Sequence, residues 1–284
     1  MAGVSSKNGV SLKPAPVPLD RLSLLISLIL VGLTVSLLLD LPVRSFEFTF
    51  LGSKATLVFS GTWVFALLLT ALTAAGVESI MRAHPHVLLS ETRYTAILWV
   101  LPCILALAAA LIVPGLALAR PYALGVIVVA GVLLTVIVAG EYYTIDSYDP
   151  AYSFARLWLN LATYLTALLI YIAVYGLKVR TILSAPVTGV LSGLLALELL
   201  RGSEADVRRT WLYATAVGLA MGESTWAINY WNASVLTGSV TLLLLFYVLT
   251  GIVQQFLWGR LNWRLLAEFA LVIAAAALLI WLRG

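Results

Sequence analysis

Charge is what this chain lacks first: only 11% of its 284 residues are Asp, Glu, Lys or Arg, against about 25% in an ordinary soluble domain. So few charges cannot cover a water-facing surface. There is a single cysteine, Cys103, inside an apolar run beside Pro102, so neither a disulfide framework nor a cysteine-based metal site can be built. Histidine is nearly absent as well: His84 and His86 share the segment RAHPHVLLSETR, and no long apolar run holds a histidine as an axial ligand for haem. The pair at i and i+2 around Pro85 could hold a metal only with help from Glu78 or Glu91, so incidental loop histidines are the simpler reading. No cofactor is expected. No Walker loop, dinucleotide G-x-G-x-x-G, H-E-x-x-H or G-x-S-x-G occurs. The Lys and Arg residues stand singly near the ends of apolar runs rather than in a basic patch, which argues against nucleic acid as a partner despite the net charge of +4.

What is present is hydrophobicity, at 62% of residues. It falls into runs of about 20 residues, the length of a membrane-crossing helix. Nine runs qualify, at about 22–41, 61–81, 94–113, 122–143, 153–177, 181–200, 210–230, 234–257 and 263–282. The expected fold is therefore an all-α integral membrane protein with about nine transmembrane helices and the lipid bilayer as its solvent. It forms one polytopic domain over 21–284 after a polar, proline-bearing tail over 1–20 that reads as flexible. Pro102 and Pro186 fall inside runs and predict kinks. Between the first two runs Phe46, Phe48 and Phe50 alternate with polar residues before Gly52-Ser53, and Ala55, Leu57 and Phe59 alternate after it. That period of two predicts a short β-hairpin on the outer side.

Summing Lys and Arg over alternate loops sets 11 on the side of the N-terminus against 6 on the other. The positive-inside rule then predicts a cytoplasmic N-terminus and, after nine spans, a C-terminus outside, in the cell (inner) membrane. The loop EYYTIDSYDPAYSFAR, with three acids and one Arg, argues weakly the other way.

Polar side chains inside spans are costly unless they face protein or water, so they are where function is sought. Glu223 leads, in GLAMGESTWAINYW: Glu223, Trp226 and Tyr230 share one helical face, with Gly218, Gly222, Thr225 and Asn229 on the next. In the fifth run Asn160, Tyr164, Tyr171 and Tyr175 recur on one side, and Tyr171 falls at nearly the depth of Glu223, so a Tyr171–Glu223 hydrogen bond is expected if the two helices touch. Glu223, Tyr171, Tyr164, Asn160, Trp226 and Asn229 are thus the candidate polar interior; the plainer reading is a packing glutamate and a tyrosine packing stripe. Gly218/Gly222 and Gly189/Gly193 are close-packing seams through which a partner or a second copy could dock. Glu78, Glu141, Glu198 and Glu268 fall at predicted cytoplasmic helix ends near Arg82, Arg156, Arg201 and Arg264, where ion pairing accounts for them; a catalytic carboxylate pair is the sharper alternative.

GVESIMRAHP, GESTWAINYW and FYVLTG together resemble a family of uncharacterised multi-pass bacterial membrane proteins, a domain of unknown function. The resemblance covers most of the chain and implies no activity, so it transfers no site residue. Two classes of function follow from the residues. One is a non-enzymatic carrier-like bundle or membrane-complex subunit built around Glu223 and Tyr171. The other is a membrane-embedded enzyme acting on a lipid-soluble substrate at the cytoplasmic rim, most sensitive at Glu141 or Arg156.

Overall fold

The computed structural model describes residues 16–38, 43–50, 53–89, 95–116, 120–146, 149–176, 181–202, 207–230 and 234–260, with a few positions between 262 and 271. The described residues are helical nearly throughout. α1 is Leu19–Leu38, α2 Gly61–Met81 and α3 the short Pro85–Leu89, while a 3₁₀ turn, Ala96–Trp99, leads into α4, Val100–Gly115. α5 is Arg120–Tyr143, α6 Tyr152–Gly176, α7 Thr181–Leu200, α8 Val207–Tyr230 and α9 Val235–Leu257. Between α1 and α2 a strand β1, Val43–Phe50, pairs antiparallel with β2, Ser53–Ser60, in the register Phe46↔Leu57 and Phe50↔Ser53. These helices form because backbone polar groups have no other partner in hydrocarbon, and threonines inside them add bonds to the carbonyl four residues back, as Thr73, Thr163 and Thr225 do.

Seven helices among the described residues are long and apolar enough to cross a membrane: α1, α2, α4 with its 3₁₀ turn, α5, α6, α7 and α9. Two of the nine expected runs are not among these seven. α8 matches the expected run 210–230 in position, but its Glu, Trp, Tyr, Thr and Gly residues leave it short of a span's apolarity. The run 263–282 lies largely outside the described residues, as does most of the tail over 1–20; α1 already begins at Leu19. Pro102 needs no kink, since it sits in the first turn of α4, where its missing N–H costs nothing, whereas Pro186 lies inside α7.

Surface and interior are reversed relative to a soluble domain. Leu24, Leu68, Val128, Val132 and Leu212 are largely exposed, while Glu141 and Glu198 are 0% and 2% exposed. The core is aliphatic, with Ile29, Leu33, Leu105, Leu134 and Ile170 fully buried. α7 and α8 make the closest crossing. A Cβ on Gly218 would lie 2.6 Å from the Gly189 carbonyl oxygen, and one on Gly193 3.3 Å from that of Ala214. Only glycine permits that approach of backbone to backbone.

Candidate functional site

Polar side chains gather at one end of the bundle, where α1 and α6 begin and α2, α5, α7 and α9 end. Arg21 donates to the Ser79 carbonyl at 2.7 Å, tying the start of α1 to the end of α2. Glu78 accepts from Arg82 Nε at 2.6 Å and from Thr95 Oγ1 at 2.5 Å. The largest group lies among α5, α6 and α7. Arg201 Nη2 reaches Glu141 Oε2 at 2.5 Å and Glu198 Oε1 at 3.1 Å, and Arg156 Nη1 donates to Glu198 Oε1 at 2.9 Å. Arg156 Nη2 also donates to the Glu198 carbonyl at 2.7 Å, and Gln254 Nε2 of α9 to that of Leu199 at 3.3 Å. Arg156 therefore satisfies carbonyls that the end of α7 leaves without intrahelical partners. Gly202 leaves it room, since a Cβ there would fall 2.6 Å from Arg156 Nε.

Two carboxylates and two guanidiniums cancel in charge, which is how buried acids at this depth are tolerated. Glu141 Oε1 and Glu198 Oε2 nevertheless have no partner among the described residues. The ion pairing expected at helix ends is present at Glu78, Glu141 and Glu198, although the partners were only partly legible. Arg201 lies three residues after Glu198, a helical neighbour; its bond to Glu141, sixty residues away, joins two helix ends that sequence spacing does not relate.

The two histidines stand at the same end. His84 is buried against Tyr142, with ring centroids 4.6 Å apart, and its Nδ1 accepts the His86 backbone N–H at 3.2 Å. Burial, and then the neighbouring His86, hold His84 below the ordinary histidine value. His86 Nε2 lies 3.1 Å from Asp146 Oδ2. Among the described residues, no group of three or more His, Cys, Asp or Glu is arranged to hold a metal ion. Glu91, one of the two carboxylates considered for these histidines, lies outside the described residues.

The six residues expected to form a polar interior are not brought together. Tyr171 is 1% exposed, and its hydroxyl is paired with Ser192 of α7 at 2.8 Å rather than with Glu223. Tyr164 pairs with Thr250 of α9 at 3.2 Å and packs its ring on Phe246 and Tyr247; Tyr175 donates to the Ile228 carbonyl at 3.1 Å. The tyrosine stripe is thus spent on helix packing. Asn160 is half-buried on α6. Asn229 donates to Ser184 of α7 at 3.0 Å. Glu223 and Trp226 are exposed on the outward side of α8. The expected Tyr171–Glu223 bond fails because α7 packs on both α6 and α8 and Ser192 meets the tyrosine first. That hydroxyl gives no sequence signal, since serine is common in apolar helices.

The glycine seams are also used differently from the expected oligomer contact. Gly189 and Gly193 pack on Gly218 and Gly222 within the chain. With no side chains to fill the valley above this crossing, a groove of about 600 Å³ runs along its outer side. α8 lines it with Trp211, Thr215, Leu219 and Glu223, spaced by four, then Trp226; α7 adds Pro186, Val190 and Leu194.

No curated protein and no solved structure matches the chain. A family model described as protein of unknown function (DUF5656) matches residues 41–283, which takes in both the charged end and the α7–α8 crossing. The chain belongs to that family, whose members carry no assigned activity.

Proposed function

We propose that this multi-pass membrane protein is a non-enzymatic subunit of a membrane complex and meets its partner on the outward face of α8. One observation carries the reading: Glu223 is exposed on the outside of the bundle, about 10 Å inside the end of α8 by its seven-residue distance from Tyr230. A carboxylate facing hydrocarbon at that depth costs several kcal/mol, so another surface is needed to cover it. A carrier-like bundle around Glu223 and Tyr171 draws less support, because Tyr171 is enclosed and paired to Ser192.

A rim enzyme acting on a lipid-soluble substrate draws some support from the unpartnered oxygens of Glu141 and Glu198. Each carboxylate is already neutralised by an arginine, which leaves neither free to act as acid or base. In the cell (inner) membrane the charged end would face the cytoplasm with the N-terminus, the side holding 11 of 17 Lys and Arg. The β1–β2 pair would lie outside. If α8 and 263–282 span as well, a reporter after Gly284 reads as external; cytoplasmic activity there rejects that topology.

The subunit reading is tested on membranes holding the tagged full chain, solubilised in mild detergent and sized on a native gel. The wild-type chain should run in a particle larger than one copy in its micelle, and Glu223→Gln should shrink that particle. A wild-type chain running alone would end the reading.

A further inference from the structure

Among the described residues the α7–α8 groove shows no counter-charge, and that lack points to its partner; Lys178 and Arg180, just before α7, lie outside those residues. α8 packs on α7 and α9. Neither of those two helices contains a Lys or Arg over Thr181–Leu200 or Val235–Leu257. On α8 itself the only basic residues are Arg208 and Arg209, fifteen and fourteen residues before Glu223. That spacing is about 21 Å or more along the helix, beyond the reach of any side chain. A glutamate is too short to carry its carboxylate about 10 Å to the near end of the helix, as a snorkelling lysine nearly could. The groove beside it is apolar apart from Thr215 and the carboxylate, and its floor is the glycine seam.

Resting on the reading of this chain as a complex subunit, we infer that the α7–α8 groove docks a transmembrane helix of a different protein, one that carries a lysine or arginine at the depth of Glu223. The cation supplies the missing charge in a medium where water cannot. Bulky apolar side chains next to it on the partner fill the valley that the glycines leave open, gaining the packing that drives helix association in lipid. A second copy of this chain is the poorer occupant. In a two-fold contact the same patch faces itself, which sets Glu223 against Glu223 in a low-dielectric layer.

The test uses the full chain in phosphatidylcholine proteoliposomes, with a donor dye on its N-terminal tail and acceptor-labelled synthetic Leu/Ala transmembrane peptides of 24 residues. The peptides are identical except for Lys, Leu or Glu seven residues from one end. The Lys peptide should associate about 3- to 30-fold more tightly than the Leu peptide, the range that one interhelical polar contact spans in a bilayer. Glu223→Gln should erase that preference, and Glu223→Lys should transfer it to the Glu peptide. Because the peptide series is decisive on the wild-type chain alone, a variant that fails to fold leaves the inference exposed. Equal binding of the Lys and Leu peptides overturns it, the groove then being a lipid-facing or purely apolar surface. Energy transfer between donor- and acceptor-labelled copies that Glu223→Lys abolishes also overturns it, in favour of a homo-oligomer. A native complex that shrinks on Glu223→Gln while the Lys peptide shows no preference removes this partner class but leaves the subunit reading standing. A wild-type chain that runs alone removes the subunit reading first.

Discussion

Arg201, just past the end of α7, reaches across to Glu141 at the end of α5 at 2.5 Å, although sixty residues separate them in sequence. The contact closes the charged end of the bundle, and its energetics follow from burial, since the two side chains are 16% and 0% exposed.

Removing one member of this pair should cost far more than removing both. Arg201→Met strands a buried Glu141 carboxylate and should destabilise the chain by about 3–5 kcal/mol. Glu141→Leu combined with Arg201→Met leaves the neutral Arg156–Glu198 pair and should recover most of that loss. Thermal unfolding in detergent, followed by circular dichroism, compares the three; a double variant as unstable as the single one would contradict the argument.

His84 makes stability fall on mild acidification. Its folded value lies below the unfolded one, so the unfolded chain takes up the proton first as pH drops. The contribution is whole above the unfolded value of about 6.5 and is lost as pH falls through it toward the lower folded value. Protonation also removes the Nδ1 lone pair that accepts the His86 N–H. Melting temperatures measured from pH 8 to pH 5 should decline for the wild-type chain and change less for His84→Gln.

The glycines of the α7–α8 crossing should tolerate no side chain. Gly218→Ala drives a methyl toward a backbone oxygen 2.6 Å away and should cost about 1–3 kcal/mol as the helices are forced apart. Gly125→Ala, at an exposed position on α5 with nothing within 4 Å, should instead be neutral or stabilise by about 0.5–1 kcal/mol. Comparing the two melting shifts separates close approach from helix propensity.

Ser192→Ala should cost about 1–3 kcal/mol by leaving the buried Tyr171 hydroxyl without its partner. Adding Tyr171→Phe should restore much of it. A second substitution that only adds to the loss would show that the pair contributes no coupling.

Much of the architecture was legible because lipid imposes one rule, that long apolar runs become helices, and the bounds of α2, α5, α6 and α9 fall within a few residues of the runs that predict them. Depth along each helix was legible too, since it needs only rise per residue. Azimuth was not. The periodicity of α8 placed Glu223 and Trp226 correctly on one face, yet could not say whether that face looked inward. In a soluble helix the apolar face marks the inside. In a bilayer both faces are apolar, so the cue vanishes, and Leu219 and Val190 are as exposed as Leu105 and Ile170 are buried. The charged end was half legible: acids and arginines at helix ends pointed to ion pairs, while Arg201 bridging two glutamates required knowing that α5 and α7 end side by side.

The backbone contact between α7 and α8 also bears on how the protein is made. By its own composition α8 falls short of a membrane span, and its closest backbone approach is to the glycines of the helix synthesised just before it. The consequence for synthesis is one of order: entry into a bilayer as a single hairpin would let the later helix close on the seam as it follows the earlier one across.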